Sequence, residues 1–265
     1  MTRLAFAFAF VAVTAAAFLV VSLLAPSLAR AQIVNVQPLL DKQARQGFSG
    51  SVEASADWRS GNTNLTLLGG DGIAQWRRQR HLVFVTLHGE LGTKSGVELV
   101  SKDLEHLRYR VRLIRALAAE AFVQHDADAF RRRAVRALGG VGLRLRVVDG
   151  KWVTFAVAAA YMFEYERLAG GMFSDAHREI IANRLSTYAV ITVGQGRIVL
   201  AHTVYAQPRL DDFSDVRWLH DSTLALTVTR YLSVRFSATL TLDTRPPEGV
   251  QPLDTALKSA LALTF

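Results

Sequence analysis

The segment "HLRYRVRL", His106 to Leu113, sets Leu107, Tyr109, Val111 and Leu113 against Arg108, Arg110 and Arg112. An apolar residue alternates with a cation at a period of two, which reads as a strand with two unlike faces. A slip of one residue would send all three arginines to the apolar side. If that side meets lipid, each costs about 2–4 kcal/mol near the midplane, so the register is strongly set. The same alternation recurs along the chain and closes it. In "ALKSALALTF", Leu257, Leu261, Leu263 and Phe265 share a face with Ser259. Ala256, Lys258, Ala260, Ala262 and Thr264 take the other.

Counted this way, twelve strands are predicted, over 48–59, 63–76, 79–92, 103–114, 117–125, 131–148, 151–165, 177–193, 197–207, 216–229, 231–243 and 255–265. Pro208, Pro246, Pro247 and Pro252 fall between strands or near their ends. Tight connections (77–79, 114–116, Asp149-Gly150, 194–196, 229–231) alternate with mostly longer ones (93–102, 126–130, 166–176, 208–215, 244–254), with 60–62 a short exception. An even strand number with short turns at one end and long loops at the other describes a transmembrane antiparallel up-and-down β-barrel, all-β, with the short turns periplasmic and the loops extracellular. Aromatics cluster near strand ends, with Phe48 and Phe265 at the short-turn end and Trp58, Phe163, Tyr165 and Tyr205 toward the other, as in two interfacial girdles. A soluble barrel with its apolar face turned inward alternates equally well.

Three domains of meaning follow. Residues 1–31 read as an export signal: a basic start, an uncharged run from Leu4 to Ala25, Pro26, and a small-x-small site at Ala29–Ala31. The run is also long enough for a retained membrane anchor. Residues 32–46 form a lead-in that could enter the lumen, and 47–265 form the barrel. The chain has 265 residues, no cysteine, 31 Lys and Arg and 23 Asp and Glu. Disulfides and thiolate metal sites are therefore excluded. An exported chain with its arginines at strand alternation is not expected to bind nucleic acid.

By parity the lumen face holds Glu53, Asp57, His88, Glu90, Arg108, Arg110, Arg112, Glu120, Gln124, Arg136, Arg144, Arg146, Glu164 and Glu166. A register summing to 232 between the fourth and fifth strands would place Arg112 opposite Glu120. One summing to 256 between the fifth and sixth would add Arg136. One carboxylate would then sit between two guanidiniums. Arg108, Arg110, Arg112, Glu120, Gln124, Arg136 and Arg144 are the candidate constriction. They either neutralise one another and knit the wall, or set anion preference in a narrow channel. Leu261, Leu263 and Phe265 are the candidate assembly signal on a final strand that pairs with the first to close the barrel.

Catalytic readings are weaker. The seven histidines show no H-x-x-x-H spacing. His220, Asp221 and Ser222 are consecutive in a strand, so they cannot all share a face. "HDAD" (125–128) and "LDDFSD" (210–215) read as polar loop tips before they read as calcium sites. Gly139, Gly140 and Gly142 lie within a strand and permit close packing rather than phosphate binding. No catalytic residue, metal or cofactor is expected. The alternatives are an outer-membrane hydrolase with a loop-end site and a soluble periplasmic binding barrel.

"SGNTN" (60–64), "AEAFVQHDADAFRRRAVRALGGVGLRLR" (119–146), "YAQPRLDDFSDVR" (205–217) and "RPPEGVQPLDTALKSALALTF" (245–265) together resemble the YdiY-like family of Gram-negative outer-membrane proteins. That family is also called salt-induced outer-membrane protein. Tyr205-Ala206 stands where the family carries a tyrosine pair. The resemblance spans about residues 47–265 and implies a barrel in the outer membrane, with a link to salt or osmotic stress and no established catalytic residue. The partners it implies are outer-membrane lipids including lipopolysaccharide, the barrel assembly machinery, and small ions or solutes.

Overall fold

The structure is a computed structural model, and it describes residues 46–59, 65–94 and 97–265. The expected signal, most of the lead-in, the "SGNTN" turn and the side chains of Asp57 and Trp58 lie outside the described residues.

Twelve strands run β1 Gly47–Arg59, β2 Leu65–Arg78, β3 His81–Lys94, β4 Val97–Arg112, β5 Leu117–Asp128 and β6 Arg133–Asp149. They continue β7 Val153–Leu168, β8 Glu179–Gln195, β9 Ile198–Pro208, β10 Val216–Thr227, β11 Leu232–Asp243 and β12 Leu253–Thr264. Each pairs antiparallel with its sequence neighbours, and β1 pairs β12, so the sheet closes on itself. Closure removes the edge that an open sheet would expose.

The seam explains the terminal phenylalanine. Ser51 pairs Thr264, and Gly50 and Phe265 exchange backbone hydrogen bonds of 3.0 and 3.1 Å. A side chain at Gly50 would meet the Phe265 ring at 2.7 Å, so only glycine lets the ring lie down there. Phe48 stacks on the same ring at 6.1 Å.

Alternation is realised as expected. Leu257, Leu261, Leu263 and Phe265 are exposed, while Ala260 and Ala262 are buried. Phe236 points out beside Arg235, which points in. Tyr205 corrects one expectation. It is buried in the lumen at 3% exposure, because Ala201, Thr203 and Gln207 fix the odd residues of β9 inward. The outer aromatics at the short-turn end also include Trp76, Tyr109, Trp152 and Tyr231.

One loop is shorter than expected. β3 runs to Lys94 and β4 begins at Val97, with a register shift at Gly92/Thr93. Residues 93–102 are therefore mostly ladder. Of the other long-end connections, 169–178, 209–215 and 244–252 outlast the short-end ones at 79–80, 113–116, 150–152, 196–197 and 228–231, while 129–132 only equals the longest of these.

Gly140 and Gly142 pack closely, as their strand position implied. A side chain at Gly140 would strike the Phe122 ring at 2.5 Å, and one at Gly142 would strike the Ala159 carbonyl at 2.3 Å. Phe122, Leu138 and Met162 form one apolar cluster inside the barrel, and Leu82, Phe84 and Leu104 another. The lumen is therefore filled by apolar as well as charged side chains.

Candidate functional site

The expected register around Glu120 is corrected. Arg110, not Arg112, lies opposite Glu120, and Glu120 faces Gly142 rather than Arg136. Both pairings are off by an even number, so every face assignment survives while the partners change. Glu120 is still held by two guanidiniums. Arg110 Nε donates to Oε1 at 2.5 Å and Arg108 Nη1 donates to Oε2 at 3.1 Å. Tyr188, three strands away on β8, donates its hydroxyl to the same carboxylate at 2.9 Å. The Arg108 guanidinium sits 4.8 Å from the centre of the Phe122 ring, so the site is half aromatic.

The other expected residues divide between two places. His106 Nδ1 and Gln124 Oε1 meet at 3.1 Å, and Gln124 donates to Asp126 at 2.9 Å. Arg144 is buried near the short-turn mouth. Arg112 is exposed at that mouth. Arg136 belongs to a second cluster nearer the long loops. There Glu164 Oε1 accepts from Arg136 at 2.5 Å, and Oε2 accepts from Arg184 at 2.6 Å. Arg217, from β10, also bonds Glu164 and reaches Glu166 at 2.9 Å and Asp243 at 3.1 Å. Glu164, Glu166, Arg136 and Arg184 are each 1% exposed, so this is a dry network. In such a medium charged groups persist only when paired.

Arg184, Arg217 and Tyr188 were not singled out from the sequence. Parity would have turned Arg184 inward, since Ala182 and Ser186 share its face. The reach of Arg217 across from β10 to β7 has no sequence signal.

The long-loop end is tied across. Arg131, in the β5–β6 loop, donates to Asp254 of β12 at 2.7 Å. In a ring of twelve strands these positions lie on opposite sides, so the bond spans the mouth. Arg132 donates to Asp175 at 2.6 Å and to the Glu248 carbonyl at 2.8 Å, and stacks 3.8 Å over Phe173. Glu248 accepts in turn from the Ser174 hydroxyl at 2.5 Å, and its N–H donates to Asp175 at 3.0 Å. Three loops thus meet on one arginine. Arg132 adopts φ 54°, a left-handed conformation unfavourable for a side chain and sustained by these bonds. Burial would raise the Asp175 carboxyl. The Glu248 N–H and the Arg132 guanidinium outweigh it and hold the group below its ordinary value.

The hydrolase expectation finds no assembled triad among the described residues. His202 Nδ1 and Ser222 Oγ meet at 2.8 Å, but on the outer face. Asp221 is buried on the lumen side and accepts from Thr239 at 2.9 Å. Asp103, Glu105 and His125 bring ligand-type atoms within 4.8 Å of one another, also on the outer face. Asp126 and Asp128 of "HDAD" are buried, Asp126 against Arg133 at 2.8 Å, so they are wall residues rather than loop tips.

A closed twelve-stranded antiparallel barrel, apolar outside and charged and aromatic within, defines the class. The chain belongs to the family described as "Protein of unknown function, DUF481", whose model matches residues 52–265. No curated protein matches it. Among solved structures it is similar to the NanC porin, at 11% identity over 82% of this chain and 98% of that one, with a TM-score of 0.46. The translocator domain of the autotransporter NalP from Neisseria meningitidis gives 11%, 82%, 87% and 0.43. A KdgM porin gives 7%, 82%, 98% and 0.40. The likeness is one of barrel outline.

Proposed function

We propose that this chain is a non-enzymatic outer-membrane barrel whose lumen is closed at rest. When opened it is a narrow, anion-preferring path. The observation that carries this reading is the set of bonds joining strands that are not neighbours: Arg217 to Glu164, Tyr188 to Glu120 and Arg131 to Asp254. Such ties cross the lumen, whereas wall-knitting alone would need only adjacent strands. The apolar outer face, with Phe48, Trp76, Tyr109, Trp152, Tyr231 and Phe265 at one end, supports a lipid setting. The arginine excess in the lumen supports anion preference.

Three further elements belong to the proposal. Leu261, Leu263 and Phe265, outward on the closing strand, suit recognition by the barrel assembly machinery. Lipopolysaccharide and other outer-membrane lipids are the surroundings of the wall. The salt or osmotic link comes from the YdiY-like resemblance, and transcript levels after a sodium chloride upshift test it. The membrane reading is tested with mature protein refolded into vesicles. Protease protection of the strands with slow chloride efflux is expected, and mature protein that stays soluble without detergent contradicts it.

A further inference from the structure

At the short-turn end the lumen opens into a cavity of about 40 Å³. Seven arginines line it. Arg77 and Arg80 come from the end of β2 and its turn, and Arg110, Arg112 and Arg115 from β4 and the turn that follows. Arg144 and Arg146 come from β6. No carboxylate lines it. Two carboxylates bonded to its walls lie outside the lining: Glu120 deeper in the lumen on Arg110, and Asp149 at the rim on Arg146 at 3.1 Å. The lining of this mouth gathers one sign.

Like charges so placed repel unless an anion joins them, and a mouth walled by low-dielectric protein focuses their field. Guanidinium is a planar fork whose paired N–H groups match the oxygens of a phosphate or sulfate. The volume is roughly three times the minimum of about 10–15 Å³ that admits one water. That suits a single tetrahedral oxyanion group. Arg110 and Arg144 are buried at its floor, while Arg112 and Arg115 are exposed at its rim. The exposed rim guanidiniums would grip the ligand, while the floor, where Glu120 holds Arg110, adds to the positive field behind them.

We propose that the short-turn mouth is a binding site for phosphate-class oxyanions, either a soluble polyphosphorylated solute or the phosphate of a lipid headgroup. That it faces the periplasm rests on the outer-membrane reading above; the anion site itself does not.

The test uses mature protein refolded in a zwitterionic detergent, with folding confirmed by heat-modifiable gel mobility. Sodium tripolyphosphate is titrated calorimetrically at low and at high salt. Binding that weakens with salt is expected, because rim charges are screened over about 10 Å at 0.1 M. The double variant Arg112→Gln, Arg115→Gln removes exposed side chains and should lower affinity at least tenfold. Arg178→Gln, an exposed arginine at the opposite end, should leave it unchanged. A parallel titration compares phosphatidylglycerol with phosphatidylcholine in mixed micelles. Loss of tripolyphosphate binding in the double variant supports the site with a soluble ligand. Binding of phosphatidylglycerol alone, lost in the same variant, supports it with a lipid. No binding of either, or equal weakening by the double variant and Arg178→Gln, overturns it. Membrane insertion is read separately by protease protection, so failure of the barrel reading is distinguishable from failure of the site.

Discussion

The two ends of the lumen use the same residue type to opposite effect. Near the long loops, Arg136, Arg184 and Arg217 converge on Glu164, and Arg132 collects three loops. Near the short turns, seven arginines share a cavity without a carboxylate in its lining. Arginine closes the first region because acids on neighbouring and distant strands meet it. In the second no acid shares the cavity lining, and Glu120 and Asp149 hold Arg110 and Arg146 from outside it. Arginine content says nothing about a lumen until each guanidinium's partner is known.

The sharpest way to break the comparison is Glu164→Ala. It leaves three buried guanidiniums without their shared acid, and removing one partner of a buried ion network typically costs about 3–5 kcal/mol. Denaturant unfolding of the micelle-folded barrel should show that loss. A cost below about 1 kcal/mol would mean that water reaches the network. Next comes Arg132→Asn, which tolerates the left-handed backbone but removes the guanidinium. Charge-assisted bonds of this kind are worth about 1.5–3 kcal/mol. The expected readout is local: limited proteolysis within 169–178 and 244–252, with global stability little changed.

Acid gives a smaller effect with a defined sign. Asp175 is held below its ordinary value of 3.8, so its contribution to the loop tie is complete above that pH. It is lost as pH falls through the lower folded value. Loop proteolysis by an acid-active protease should therefore stay slow at pH 5 and quicken only below about 4. The smallest expected change is at the other end. Arg112→Gln removes an exposed cation among like charges, and stability should move by no more than about 0.5 kcal/mol. A large destabilisation there would mean that Arg112 has a structural partner and that the two ends are alike.

Much of the fold was legible because a barrel writes its two faces at a period of two. Phe236 against Arg235, and Leu261 and Leu263 against Ala260 and Ala262, needed only parity. Parity also gave Arg108, Arg110, Glu120, Arg136 and Glu164 to the lumen. It could not choose among registers that differ by two, which is why Glu120 met Arg110 rather than Arg112. Tyr205 was misplaced because an aromatic near a strand end serves a girdle or a lumen equally well. Contacts between distant strands, such as Arg131 with Asp254, depend on barrel diameter and loop path, and neither is written locally. The extension of β4 to Val97 was hidden because residues 93–102 carry polar, loop-like composition.

The central claim is that bonds across the lumen hold this barrel shut. Single-channel recording in a planar bilayer, under a potassium chloride gradient, tests it most directly. The wild-type mature protein should insert and carry almost no current. Arg131→Gln combined with Glu164→Gln, which cuts two of those ties, should open brief, small, anion-preferring steps. Large, steady conductance from the wild type would contradict the account, because no such path could pass Glu164 and Arg131 as the structure joins them.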